Sequence, residues 1–190
     1  ANRFLVTNVL PYTREMCDEI LYSHALTDSI YQPTRWGARL KLPKMDVSDK
    51  TREALFRALR GAHSIIFAGA CFDESNDRCP FIQDGSTAIG WEGSLSPCLP
   101  LLHNHVTYLN GWERSLKRHA VGNVNERHLN ELWNMPEYVA FRERVQKFDF
   151  SYCTFCGGCD LIGSNEEDCF GNTFPACGGC LWAQGVVQCP

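Results

Sequence analysis

Apolar runs and amphipathic segments alternate along the first seventy residues of the chain. The runs RFLVTNVL, GARLKLP and HSIIFAGA predict buried strands, and REMCDEILYSHAL and TREALFRALR have the spacing of amphipathic helices. The predicted strands lie at 3–10, 37–43 and 63–70, and the predicted helices at 14–26 and 51–60. Because strands that alternate with helices usually form a parallel sheet, this part is predicted to be α/β.

From Cys71 onward the composition changes, and the sequence consists of short segments rich in Gly, Pro, Asn and Cys. Short strands are expected in STAIGW and HVTYL. A helix that begins at Asn125 or Asn130 is expected to run through HLNELW, and another helix is expected to run from Pro136 through EYVAFRERVQKF. After Phe150 no periodic pattern remains, and aliphatic residues are few. We therefore expect something other than a hydrophobic core to order the last forty residues.

Charge and length exclude several classes of function. The net charge is −4, and the eighteen Lys and Arg are scattered, apart from a small group at Arg114, Lys117 and Arg118. Nucleic acid is therefore not an expected partner, since phosphate binding needs a basic stripe. With no run of eighteen apolar residues and no signal-peptide pattern, we expect a cytoplasmic protein without a membrane partner. The chain begins with Ala and opens almost at once on a strand-like run, which indicates a piece of something longer.

Cysteine is the outlier of the composition, with eleven residues, nine of them from Cys79 onward. Those nine are Cys79, Cys98, Cys153, Cys156, Cys159, Cys169, Cys177, Cys180 and Cys189. In a reducing cytosol, dense and closely spaced cysteines more often hold a metal or a cluster than form disulfides. Cys17 and Cys71 are interpreted as small buried apolar residues.

Three kinds of site fit these cysteines. An iron–sulfur cluster takes four thiolates, and Cys153-x2-Cys156-x2-Cys159 would let one loop supply three of them. Zinc is the main rival, because two CGGC motifs, Cys156 to Cys159 and Cys177 to Cys180, are separated by seventeen residues. That zinc site would leave five of the nine cysteines without a role. A disulfide scaffold is a third possibility, although no secretory segment is visible.

Other residue groups have ordinary structural explanations beside functional ones. His103 and His105 alternate and would share one side of a strand, where they would meet a metal or simply face solvent. The run Glu166, Glu167 and Asp168 would make an acid–base pair or a solvated turn. Four tryptophans would line a substrate channel or pack in the core, namely Trp91, Trp112, Trp133 and Trp182.

The cysteine pattern of the second half resembles that of the SPASM domain, the C-terminal extension of many radical SAM maturases. Cys79, thirteen residues, Gly93, four residues and Cys98 match the opening of that pattern, and Pro97 gives the familiar Pro-Cys. Cys153, Cys156 and the later cysteines to Cys189 resemble the second group. The segment GNVNERHLNELWNMPEYVAFR is similar to the one that joins the two groups, whereas the spacing departs from the pattern near Ile162.

This resemblance implies a fold, a cofactor and a function. Residues 1–70 would be the C-terminal βα units of a partial (β/α)6 barrel, and 71–190 a small cysteine-rich α+β SPASM domain with two auxiliary 4Fe-4S clusters. By the resemblance, Cys79 and Cys98 serve the first cluster and Cys153, Cys156 and Cys159 most of the second. The remaining four complete both with one to spare: Cys169, Cys177, Cys180 and Cys189.

Within the superfamily, the tail SNEEDCFGNTFPACGGCLWAQGVVQCP looks most like maturases associated with tungsten-cofactor oxidoreductases. The implied partners are a tungsten-pterin oxidoreductase or its cofactor as substrate, and an electron donor such as ferredoxin or flavodoxin. The motif that binds and cleaves S-adenosylmethionine, Cys-x3-Cys-x2-Cys, occurs nowhere in the 190 residues, so this chain alone should not make the adenosyl radical. The alternatives are a non-catalytic zinc-binding interaction module and a degenerate fragment without activity.

Overall fold

The computed structural model describes the chain in seven stretches and two single residues. These are 4–20, 49, 51–60, 65–67, 70–71, 78–109, 112–151, 153 and 159–187. Cys156 and Cys189 lie outside the described residues, and so does the predicted strand at 37–43.

The described N-terminal residues contain a small mixed sheet. Strand β1 (Phe4–Val6) pairs in parallel with β2 (Ile65–Phe67), and helix α1 (Arg52–Arg60) lies between them in sequence. Strand β3 (Ala70–Cys71) pairs antiparallel with β2. The prediction of one strand over 63–70 is therefore wrong, because the chain reverses direction between Phe67 and Ala70.

The predicted helix over 14–26 is seen only as a 3-10 helix at Glu15–Asp18 before the described residues end at 20. Arg14 precedes it, and Thr13 accepts a contact from the Cys17 thiol through its carbonyl at 3.8 Å. Cys17 is half-buried rather than a fully buried apolar residue. The partial barrel stays a prediction, since most of the segments that would build it lie outside the described residues.

The cysteine-rich part is built of short antiparallel pairs. Strands β4 (Ala88–Ile89), β5 (Ser94–Ser96) and β8 (Gly122–Asn123) form one sheet, in the order β4, β5, β8. Strands β6 (His105–Leu109) and β7 (Trp112–Leu116) form a separate pair, with Val106 opposite Ser115. Helix α2 (Pro80–Gln83) and two 3-10 helices, Leu99–Leu101 and Asp160–Gly163, connect these strands to the rest.

Two helices cover the sheet. Helix α3 (Leu129–Trp133) begins after His128, and α4 (Pro136–Lys147) begins at the proline that the sequence indicated and ends where Phe148 takes φ 47°. The predicted start of α3 at Asn125 or Asn130 is wrong. The amide of Asn125 instead donates to the carbonyl of Glu92 at 3.2 Å, so this residue is used to hold a turn.

The buried apolar residues form two clusters. The larger one joins β5, α3 and α4 through Leu95, Leu132, Tyr138 and Phe150, each 1 % exposed or less. The second joins Leu10 near the start of the chain to Leu181, Trp182, Val186 and Val187 near its end. Residues 181–187 are all buried, so the expectation that no hydrophobic core orders the last forty residues is wrong for this segment.

The part of the chain that the structure describes contains no helix long and apolar enough to span a membrane.

Candidate metal centre

A glycine-dependent turn brings Cys98 to the site. Gly93 has φ +87°, and a Cβ on it would collide with the side chains of Asn123 and Asn125. Both of those amides donate to the carbonyl of Glu92, at 3.1 and 3.2 Å. Gly93 therefore closes the β4–β5 turn against β8, and β5 then leads directly to Cys98. This is the physical reason for a glycine five residues before that cysteine.

Cys79 and Cys98 hold equivalent positions, each directly before a proline-containing helical turn. Cys79 precedes α2, and Cys98 precedes the 3-10 helix Leu99–Leu101. The backbone N–H groups of Phe81 and Ile82 act on the Cys79 thiol, and that of Leu101 acts on Cys98. Such N–H groups stabilise a thiolate or the sulfur atoms bound next to it. Both residues are 8 % exposed.

The second CGGC motif completes this group. Cys177 and Cys180 line the same cavity as Cys79 and Cys98, a space of about 50 Å³. The Cys180 N–H donates to the Cys177 carbonyl at 3.0 Å, which closes the turn between them. The four cysteines come from sequence positions up to about a hundred residues apart, and the fold brings them to the wall of one cavity.

Electrostatics shows that these four thiols interact. Burial, and next the charge of Cys180, raises the pKa of Cys79 to about 12. Burial, followed by Cys180, Cys177 and Cys79, raises the pKa of Cys98 well above its usual value. Burial, and next the charge of Cys180, raises the pKa of Cys177 well above its usual value. Four such thiolates would repel one another in an apolar cavity, so they require a positively charged group between them to ionise together.

A second group of cysteines lies nearby and is more exposed. Cys153 is half-buried with its Sγ 3.0 Å from Ser151 Oγ, whereas Cys159 and Cys169 are exposed. Burial raises the pKa of Cys153. Ser151 and Arg114 act to lower this pKa and partly offset the effect of burial, whereas Cys169 raises it further. Cys153 and Cys169 are thus close enough for their charges to interact, and the 3-10 helix Asp160–Gly163 begins directly after Cys159.

Asp168 ties the loop of Cys169 to the segment of Cys153. Its carboxylate accepts the N–H of Ser151 at 3.1 Å and those of Phe170 and Asn172 at 3.0 Å. Burial would raise the pKa of Asp168, but the hydrogen bonds from Ser151 and Asn172 outweigh it and lower that pKa. The solvated-turn interpretation holds for Glu166 and Glu167, which are exposed, and is wrong for Asp168, which is 5 % exposed.

The sequence did not point to two further residues beside the cysteines. Arg114 is 4 % exposed and lines the four-cysteine cavity, although it was grouped only with two surface cations. Asn165 is 3 % exposed and exchanges two hydrogen bonds with the backbone of Lys117, at 2.9 and 3.0 Å. Its carbonyl also accepts the N–H of Ala176, next to Cys177. An isolated Arg in an alternating strand and an isolated Asn carry no pattern that reveals such contacts.

The remaining candidates lie elsewhere. His105 Nδ1 lies 2.9 Å from the His103 carbonyl, and neither histidine lines the cysteine cavity described here. Of the four tryptophans, Trp182 is buried in the second apolar cluster and Trp133 packs against the first, whereas Trp91 is 94 % exposed and Trp112 54 %. Within the described ranges, no three His, Cys, Asp or Glu side chains converge tightly enough for a single metal ion.

Comparison with known proteins agrees with this cysteine framework. Residues 79–160 match the family model for SPASM, an iron–sulfur cluster-binding domain. The SPASM resemblance seen in the sequence is thus confirmed for residues 79–160.

A curated relative extends the comparison over nearly the whole chain. The tungsten-containing aldehyde ferredoxin oxidoreductase cofactor-modifying protein of Pyrococcus furiosus is 28% identical over 194 residues, which cover 98% of this chain and 47% of the relative. The chain thus spans about half the length of that relative. No solved structure matches the chain.

Proposed function

We propose that the chain is the C-terminal portion of a radical SAM/SPASM maturase and that it holds two auxiliary 4Fe-4S clusters. The observation that carries this proposal is the convergence of Cys79, Cys98, Cys177 and Cys180 on one buried cavity. The SPASM match and the tungsten-cofactor relative support the same conclusion.

The four converging cysteines are the proposed ligands of the first cluster. A cubane takes four thiolates, and this cavity offers four cysteines, of which Cys79, Cys98 and Cys177 have pKa values raised by burial and by neighbouring thiols. A cavity of about 50 Å³ exceeds the space of a single water, and it favours a group of several atoms over one ion. The N–H groups that act on Cys79 and Cys98 would stabilise the cluster sulfurs as well.

The second cluster then draws on the five cysteines that remain. Cys153, Cys159 and Cys169 are proposed ligands among the described residues, with Cys156 and Cys189 as the other two candidates. Four positions for five cysteines leave one spare. Ser151 and Asp168 position the Cys153 and Cys169 segments against each other, so they support this site without binding metal.

Iron–sulfur clusters bound at these sites accept and donate single electrons. The chain's own part is to hold the thiolates, with Cys79 and Cys98 of the first group buried and Cys159 and Cys169 of the second group exposed. A ferredoxin or flavodoxin is the proposed donor, and a tungsten-pterin oxidoreductase or its cofactor the proposed substrate. S-adenosylmethionine would be used only by the full-length enzyme, because Cys-x3-Cys-x2-Cys is absent from this sequence.

Metal analysis after anaerobic reconstitution tests the proposal. We expect about eight irons and eight sulfides per chain, with a broad visible band that dithionite bleaches. Cys98→Ser should lower the iron content by about half, because it removes one ligand of the first group. Cys17→Ser is the matched control, and it should leave the iron content unchanged, since Cys17 lies outside both groups.

Zinc without colour would contradict the cluster proposal and favour the zinc-binding interaction module instead. In the twin-CGGC zinc site, Cys98→Ser would not change the metal content. An unchanged iron content in Cys98→Ser would likewise refute the proposed ligand set.

A further inference from the structure

A buried arginine lies between the two groups of cysteines. Arg114 is in the middle of β7, where its side chain points away from solvent and is 4 % exposed. It lines the cavity of the first cysteine group. Strand β7 also forms a bridge from Ser115 to Ser164, in the segment that joins Cys159 to Cys169 of the second group.

Among the described residues, three backbone carbonyls hold the guanidinium. Arg114 Nε donates to the Ile162 carbonyl at 2.7 Å, Nη1 to the Gly179 carbonyl at 2.5 Å, and Nη2 to the Ser164 carbonyl at 3.4 Å. Gly179 belongs to the second CGGC motif, whereas Ile162 and Ser164 belong to the other segment. Among the described residues no carboxylate forms an ion pair with Arg114. A buried cation without a carboxylate normally requires another source of negative charge.

The second CGGC motif is shaped to admit this side chain. A Cβ on Gly179 would collide with the Arg114 guanidinium, and a Cβ on Gly178 would collide with the Ser151 carbonyl. Ser151 in turn contacts Cys153 through its hydroxyl. The two glycines between Cys177 and Cys180 therefore bring the first group close both to Arg114 and to the start of the second group.

The charge of Arg114 reaches one thiol in each group. Burial lowers the pKa of Arg114, and the charges of Cys180 and Cys153 act in the opposite direction. The thiols whose charge would interact with the guanidinium thus include one from each group of cysteines.

We propose that Arg114 is a positioning residue that supplies one positive charge to both cluster sites and so sets their reduction potentials together. This inference rests on the proposed function, because it assumes a cluster in each cysteine group. Reduction adds a negative charge to a cluster, and a nearby buried cation stabilises the reduced form. Loss of the charge should therefore lower both potentials.

Redox titration of the reconstituted chain, followed by electron paramagnetic resonance, tests this. In Arg114→Gln, the ratio of reduced to oxidised cluster at a fixed potential should fall at least tenfold at both clusters, which is a shift of 59 mV for one electron. Arg114→Lys keeps the positive charge, so both potentials should stay within about 59 mV of their native values. Lys117→Gln is the matched control, because Lys117 follows the same strand but is exposed and paired with Glu166 at 2.6 Å.

Every outcome of the redox titration and of the iron analysis either supports or contradicts the inference. Unchanged potentials in Arg114→Gln, or a shift at one cluster only, would overturn the inference and leave the proposed function intact. An equal shift in Arg114→Lys would also overturn it. If Arg114→Gln loses its iron, retention of iron by Arg114→Lys supports the need for the charge, and loss from both variants contradicts it. A native chain without cluster iron would overturn both the inference and the proposed function.

Discussion

At the scale of single residues, two glycines allow polar side chains to approach the backbone beside the cysteines. Gly179 leaves room for the Arg114 guanidinium to bond its carbonyl, and Gly93 leaves room for two asparagine amides beneath the turn before Cys98. The sequence identified Gly93 through its place in the cysteine pattern. The contact of Gly179 was not predictable, because Arg114 lies sixty-five residues away in the chain.

Gly179→Ala should therefore destabilise the protein. The added methyl group forces the guanidinium away from the Gly179 carbonyl, and overpacking of this kind costs about 1–3 kcal/mol. The free energy of unfolding, measured in urea under anaerobic conditions, checks this. Gly163→Ala is the matched control, since a Cβ there meets nothing within 4 Å. Equal stability of the two variants would show that Arg114 adjusts without cost.

At the scale of elements, the segment after β7 is joined to α4 by an imidazole. The ring of His119 lies 5.6 Å from that of Phe141 in α4 and 5.4 Å from that of Phe174. Arg144 of the same helix donates to the carbonyls of Thr173 and Pro175 at 3.1 and 3.0 Å. Helix α4 thereby holds the loop that leads to Cys177.

This packing makes stability depend on pH. Burial first, and then the charge of Arg144, lowers the pKa of His119 below its usual value. The neutral ring therefore contributes stability that is complete above the unfolded pKa of about 6.5 and is lost as the pH falls from there through the folded pKa.

We expect the unfolding temperature of the reconstituted protein to fall as the pH is lowered from 7.5 to 5.5. His119→Phe keeps a ring between Phe141 and Phe174, so it should flatten this dependence. His128→Gln, at an exposed position before α3, should keep the native dependence. A His119→Phe profile with the native slope would assign the pH dependence to other groups.

Elements with a strong local signal were predictable, and those set by distant contacts were not. Pro136 and the amphipathic pattern after it fixed α4, and HVTYL gave β6 with its bounds. The start of α3 was missed because Asn125 bonds Glu92, thirty-three residues earlier. The run HSIIFAGA looked like one strand because periodicity does not report where a chain reverses.

At the scale of the whole molecule, two distant ends of the described chain meet. Asn8 Nδ2 donates to the Val186 carbonyl at 2.9 Å, and Leu10 packs in the same apolar cluster as Leu181 and Val187. The cysteine pattern identified which residues belong to the site. It left open which cysteines share a cavity, because that depends on how the tail folds back on Cys79 and Cys98.

Two forces compete to order that tail, and removal of iron separates them. The buried side chains of Leu181, Val186 and Val187 contribute about 1.5–3 kcal/mol each if fully transferred from water, while a bound cluster would link this segment to Cys79 and Cys98. Because a group that binds only the folded state stabilises what it touches, chelation should speed amide hydrogen exchange in 176–187 and 79–101. Helix α3 contributes no residue to the lining of the four-cysteine cavity and serves as the internal reference, with a smaller change. Exchange in 176–187 that does not respond to chelation would mean that the apolar cluster alone orders the tail. Iron would then serve electron transfer without stabilising this segment.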